Sequence, residues 1–210
     1  LACLESLGWL DRAPDDIVVV DNGSTDGSAE AIAERFPQVH LIRNSTNLGV
    51  VHGRIVGWRY VQERLRGDYV WFLDDDTVVD RRCLGQLLEA ARQDPRAGII
   101  CGKAYTAAPS TMIMSAGIRV CLATATIADI GAGEQDRGQF DRARYVDACG
   151  GFSFLVRRSL MAQLQGIDAT FRGYGWEDVD LCLRARALGF RTRYAPEAIV
   201  HHKGGAIGRR

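Results

Sequence analysis

The chain has 210 residues, a length that suits one α/β domain, since domains commonly run ~100 to 250 residues. Apolar residues make up 47% and charged residues 25% of it, which excludes a disordered, collagen-like or coiled-coil chain. The formal net charge is zero, without the basic surplus that nucleic-acid binding needs. That balance hides 24 Arg against 2 Lys and 18 Asp against 8 Glu. Asp favours turns, caps and hard-metal sites, so its excess is the first pointer to chemistry.

Leu1, Leu4 and Leu7 have helical spacing, and Ile17 to Val20 is a short β-branched run that leaves into Asp21-Asn22-Gly23-Ser24, a buried strand followed by a turn. A helix is predicted over Ala29 to Phe36, stopped by Pro37, then a strand over Val39 to Arg43 and a polar loop over Asn44 to Gly49. Val51, Ile55, Trp58 and Leu65 share a helical face that runs to Arg66. Tyr69 to Leu73 is the strongest strand and runs straight into Asp74-Asp75-Asp76. A helix through Leu84, Leu87, Leu88 and Ala91 stops before Pro95 and leads to a strand over Gly98 to Cys101. Strand and helix alternate four times, which predicts a mostly parallel sheet with helices on both faces.

From Lys103 to Tyr145 the periodicity fades, and the stretch reads as a loop-rich insertion. Regular structure resumes with a strand over Phe152 to Val156, helices over Arg158 to Leu164 and Glu177 to Leu188, and short strands at Arg191 to Tyr194 and Ile199-Val200. The six cysteines lie 18 or more residues apart and form no C-x-x-C pair, so they read as buried thiols in a reducing compartment. No apolar stretch approaches the ~20 residues of a membrane span, and no signal-peptide pattern is present. The chain reads as cytosolic.

In open parallel sheets, ligands bind outside the carboxyl ends of the strands. The Asp21 to Ser28 cluster falls there and can reach a nucleoside while Asp26 or Ser28 caps the next helix; a plain capped turn is the alternative. Asp74, Asp75 and Asp76 repel one another unless a cation or donors offset them. Alternation puts Asp74 and Asp76 on one side, where they can share Mg2+ or Mn2+. In Trp176-Glu177-Asp178-Val179-Asp180, the helix dipole and an i,i+4 pair with Arg184 account for Asp180. Asp178, beside Trp176 and another acid, suits a general base. Of His201 and His202, adjacent in extended chain, only one can face the metal. Phosphate-loop, dinucleotide, nucleophile-elbow and H-E-x-x-H motifs are absent.

Five motifs in order carry a resemblance that spans nearly the whole chain. They are Ile17 to Ser28, Asn47-Leu48-Gly49, Phe72-Leu73-Asp74-Asp75-Asp76-Thr77, Gly150-Gly151-Phe152 and Trp176-Glu177-Asp178-Val179-Asp180-Leu181. Together they resemble family 2 glycosyltransferases with the GT-A fold, a Rossmann-like, mostly parallel sheet flanked by helices. Met114-Ser115-Ala116-Gly117 and Val179 to Arg184 are similar to the rhamnosyltransferase-like branch. The resemblance implies inverting transfer of a sugar from a nucleotide diphosphate sugar to a hydroxyl of a saccharide or lipid-linked acceptor, in cell-envelope polysaccharide or glycolipid synthesis. It implies a nucleotide-binding half over 1–102 and an acceptor and catalytic half over 103–210.

Under that resemblance, Asp21, Asn22 and Ser24 contact the nucleoside, Arg54 the diphosphate, and Asp75, Trp176 and Glu177 the substrates. Asp74 and Asp76 are the ends of the D-x-D motif that holds Mn2+ or Mg2+, His201 completes the metal site, and Asp178 is the catalytic base. No nucleic acid is expected as a partner. Peripheral membrane contact at the inner face is expected outside this segment. The sequence departs from the family in three places. The apolar first strand common in relatives is not found, Asn22 stands where many have Asp, and His52 and Ile55 replace smaller or polar residues. Two alternatives stay open, a non-catalytic nucleotide-sugar binding module and a nucleotidyltransferase.

Overall fold

A computed structural model describes residues 1–171 and 175–204. In chain order the elements are α1 (Ala2–Leu7), β1 (Val18–Asp21), α2 (Ser28–Arg35), β2 (His40–Arg43), α3 (Gly49–Arg64), β3 (Tyr69–Leu73), β4 (Thr77–Val79), α4 (Cys83–Gln93) and β5 (Ala97–Tyr105). There follow β6 (Ile113–Ser115), β7 (Ile118–Cys121), β8 (Thr126–Asp129), β9 (Arg144–Val146), β10 (Ser153–Arg157), α5 (Arg158–Gln163), α6 (Glu177–Ala187) and β11 (Arg191–His202).

The α/β alternation is as expected, but the main sheet is mixed. Its order is β3-β10-β5-β11-β4, with β6 added to β5 and β9 to β11. Strand β10 runs antiparallel to both β3 and β5, whereas β5 and β11 are parallel. Sequential alternation cannot reveal that a late strand inserts, reversed, between two early ones. Strands β3, β5 and β11 therefore point the same way, and their carboxyl ends meet the start of β10.

Strands β1 and β2 form a separate parallel pair. Among the described residues β1 pairs only with β2 and β3 only with β10, so each has one edge without a strand. As an edge strand, β3 keeps all five of its apolar side chains only half-buried.

Alternation splits the sheet into two apolar faces. Ile99, Cys101, Phe154 and Val156 pack with Val51 and Trp58 of α3 and with Val179 and Cys182 of α6. Ile100, Ala104, Leu155 and Val200 pack with Leu84, Leu87 and Ala91 of α4. Strand β5, covered on both sides, is buried along its whole length, which is why it reads as a continuous small and apolar run.

Three expectations are corrected. The 103–145 stretch is ordered as the end of β5, β6, the β7–β8 hairpin and the start of β9. Strand β4 was not anticipated, because three residues directly after an acidic turn give no periodicity. The two short terminal strands are one element, β11, which pairs with β5 on both sides of a bulge between Ala195 and Ile199 that shifts the register. Five cysteines are buried, but Cys121 at the β7–β8 hairpin is exposed.

The bulge folds the Ala198 carbonyl over Gly102, where a Cβ would stand 2.0 Å from that oxygen. Backbone cannot yield as a flexible side chain can, so Gly102→Ala is expected to destabilise the fold by roughly 2–4 kcal/mol. Urea unfolding of the variant beside wild type measures it, and an unchanged midpoint would mean that the bulge is soft.

Candidate active site

The polar residues singled out in the sequence collect where β3, β5 and β11 end and β10 begins. At the exit of β1, Asp21 is buried and its Oδ1 accepts the Ser24 amide at 3.1 Å. Ser24 itself is exposed. Asp26 accepts the Ser28 amide at 3.0 Å, while the N-cap position of α2 is held by Gly27 rather than by Asp26 or Ser28. The Asn22 amide is fully occupied inside the protein. It donates to Asn47 Oδ1 (3.0 Å) and the Gly49 carbonyl (3.1 Å), and accepts from Asn44 Nδ2 (3.1 Å) and the Leu48 amide (3.0 Å). Those four bonds use its whole capacity. Asn22 thus ties the β1 turn to the loop that starts α3, the helix that carries Arg54.

Arg54 is the junction of the site. Its guanidinium donates to Asp74 Oδ1 (2.7 Å), Glu177 Oε1 (3.1 Å) and the Gly151 carbonyl (2.9 Å), with its side chain only 11% exposed. The Gly151 amide in turn donates to Asp178 Oδ2 at 2.7 Å. One residue, Gly151, therefore connects the Asp74 end of the acidic turn to the first turn of α6. A Cβ at Gly151 would stand 2.6 Å from the Arg54 Nη1, which gives the Gly150-Gly151 pair a role that its sequence alone did not disclose. Arg54, expected beside a diphosphate, is here engaged by carboxylates.

The acidic turn folds with the Thr77 amide on the Asp74 carbonyl (3.1 Å) and then forms β4. The ladder between β4 and β11 sets His202 opposite Thr77 and His201 opposite Val78. His202 Nε2 consequently lies 2.9 Å from Asp76 Oδ1, while His201 turns to the other face and stacks on Tyr105 at 5.4 Å. The histidine beside the carboxylates is His202, not the expected His201. Recognising it required β4, which sequence reasoning missed.

Asp74, Asp76 and His202 can each offer one ligand atom, all within 4.8 Å of one another. Asp75 points away and is exposed. Two carboxylates and one imidazole suit Mn2+, and the surroundings favour a cation. Among the described residues, this turn and the first turn of α6 carry Asp74, Asp75, Asp76, Glu177, Asp178 and Asp180, of which Arg54 pairs with Asp74 and Glu177 and Arg184 with Asp180.

At the start of α6, Trp176 is 38% exposed with φ of 78°, a left-handed conformation that a bulky residue holds only under constraint. Asp178 is 8% exposed and also accepts the Val179 amide at 2.7 Å. Asp180 pairs with Arg184 at 2.7 Å as expected. Glu177 is 4% exposed and its Oε2 has no hydrogen-bond partner among the described residues. Burial, and then the charge of Asp178, hold its carboxyl above the ordinary value.

The family model "Glycosyltransferase like family 2" matches residues 1–206. An N-acetylglucosaminyl-diphospho-decaprenol L-rhamnosyltransferase of Mycobacterium tuberculosis is 31% identical over 98% of this chain and 72% of its own. Among solved structures, GalNAc-T7 with UDP, GalNAc and Mn2+ superposes with a TM-score of 0.72 at 18% identity, over 95% of this chain and 39% of that one. The mannosyltransferase PcManGT from Pyrobaculum calidifontis, with GDP-Man and Mn2+, gives 0.67 at 18% identity, over 98% and 53%. The chain thus spans about two fifths to one half of these solved chains, which share its GT-A fold. Among its described residues no helix is long and apolar enough to cross a membrane.

The raised Glu177 carboxyl makes a pH prediction. The folded state holds this proton more tightly than the unfolded chain does, so its contribution is complete below the ordinary value of 4.5 and is lost as pH climbs through the raised folded value. Glu177→Gln keeps an acceptor for Arg54 and removes the titration. Above pH 4.5, wild-type stability should fall more steeply with pH than that of the variant. Denaturant unfolding across this range reads the difference, and parallel profiles would show that Glu177 is ionised at no cost.

Proposed function

The chain belongs to glycosyltransferase family 2, and from that premise we propose that it moves a hexosyl or deoxyhexosyl group from a nucleotide diphosphate sugar to an acceptor hydroxyl, with inversion. The observation that carries this reading is the Arg54 junction, which joins the acidic turn to the first turn of α6 through Gly151. Leaving-group stabilisation and the base are thereby held in one frame.

In this reading Asp74, Asp76 and His202 hold Mn2+ or Mg2+. When bound, the ion supplies positive charge to the departing diphosphate. The protein's own groups do the rest. Asp21 and the exposed Ser24 line the exit of β1 where a nucleoside would lie. Arg54 fixes Asp74 in place, so that one ligand carboxylate has little freedom left to lose on binding. Asp178 Oδ2 is oriented by the Gly151 amide and takes the proton of the attacking hydroxyl. One base and one direct displacement give inversion, because no covalent sugar intermediate has to form.

The rhamnosyltransferase relative acts, by its name, on a diphospho-decaprenol saccharide. A lipid-linked acceptor used in cell-envelope synthesis is accordingly the proposed partner here, with the enzyme working at the cytoplasmic face of the membrane. Residues 103–145, which form the β5 end, β6 and the separate β7–β8 hairpin, are proposed to shape the acceptor side.

Transfer assays on the full-length protein test the assignment of the base. Asp178→Asn should lower kcat by roughly 10²–10⁴-fold, the scale of general-base contributions, while calorimetric donor affinity stays within about twofold. Unchanged turnover in this variant would remove Asp178 from the chemistry.

A further inference from the structure

The start of β11, the end of α6 and β9 form a face that the transfer chemistry does not use. Antiparallel pairing sets Arg193 opposite Tyr145, and Arg191, two residues earlier, falls on the same face. The guanidinium carbons of Arg96, Arg191 and Arg193 lie 5.7, 5.9 and 5.9 Å from the centre of the Tyr145 ring, within cation–π range. Arg186, in the last turn of α6, lines a cleft of about 100 Å³ together with Tyr145, Asp147, Phe190 and Arg191.

Two carboxylates answer these four arginines. Asp94 accepts from the Tyr145 hydroxyl at 2.6 Å and lies 3.5 Å from Arg193, and Asp147 lies 3.4 Å from Arg186. A positive surplus remains, and exposed Arg191 pairs with no carboxylate among the described residues. Tyr145 is 40% accessible, and Leu188, two residues beyond Arg186 at the C-cap of α6, is 50% accessible. A half-exposed tyrosine among arginines, with an exposed leucine close by in the chain, is the pattern of an interfacial contact. The apolar groups enter the headgroup region while long cationic side chains meet the lipid phosphates.

We propose that this face docks on an anionic phospholipid surface. The docking does not rest on the function proposed above. It also places a membrane contact inside this segment, where the sequence suggested none.

The test is co-sedimentation of the full-length protein with vesicles of equimolar phosphatidylglycerol and phosphatidylcholine, beside vesicles of phosphatidylcholine alone. The protein should bind the anionic vesicles, less so as salt screens the contact, and leave the neutral ones. The double variant Arg186→Glu, Arg191→Glu should bind at least about tenfold more weakly. Leu188→Ser should bind several-fold more weakly, and it carries the test alone if the double variant melts early. Both should keep wild-type transfer to a soluble acceptor. Full vesicle affinity in these variants, or equal binding to neutral vesicles, would overturn the proposal. So would release from vesicles by millimolar inorganic phosphate, which would mark a free-anion site, or capture by polyglutamate without vesicle binding, which would mark an acidic protein partner. Vesicle binding without any transfer activity would leave the docking standing and sink the functional reading instead.

Discussion

The buried Arg54 guanidinium sets the terms for the rest of the site. Five carboxylates gather where the strands end, and a nearly buried cation among them makes that gathering tolerable. Two charge-assisted bonds to Asp74 and Glu177 offset the desolvation of all three groups. The third bond, to the Gly151 carbonyl, links the ion pairs to the backbone that orients Asp178. Removing the guanidinium would leave buried charge unanswered, so the arrangement of β3, β10 and α6 depends on it. The helix that carries it starts from a loop that the Asn22 amide pins with four internal bonds.

The mixed sheet makes this junction reachable. Strand β10, inserted between β3 and β5, begins where β3 ends, and the Asp74 amide donates to the Phe152 carbonyl at 3.0 Å. A parallel insertion would have carried Gly151 to the far end of the sheet. On the opposite edge, β4 and β11 converge so that His202 arrives beside Asp76. Even with Arg54 in place the acids outnumber the bases among the described residues, and Asp74, Asp76 and His202 stand close enough together to share a cation.

Much of this was legible in the residues. Strand-end carboxylates following an apolar run, a polar turn after β1, and an acidic first turn in α6 are local signals, and all fall where they were expected. The missed features are those fixed by pairing between distant segments. Nothing near Gly150-Gly151 states that its amide and carbonyl will be shared by Asp178 and Arg54. His201 and His202 are equivalent in one dimension, and only the register with a three-residue strand separates them. Asn22 looked like a ligand contact because its partners, Asn44 to Gly49, lie more than twenty residues away. The arginine excess was unexplained by local pattern for the same reason, since Arg96, Arg186, Arg191 and Arg193 come together only around Tyr145.

The central claim is that the acidic turn, completed by His202, holds a divalent cation. It is tested most directly by titrating the full-length protein with Mn2+ in the presence of nucleoside diphosphate and following free Mn2+ by electron paramagnetic resonance. His202→Ala should weaken Mn2+ binding by at least about tenfold, the upper scale for loss of a supporting group being ~100-fold, while His201→Ala should bind as wild type does. Wild-type binding in His202→Ala, or loss confined to His201→Ala, would contradict it.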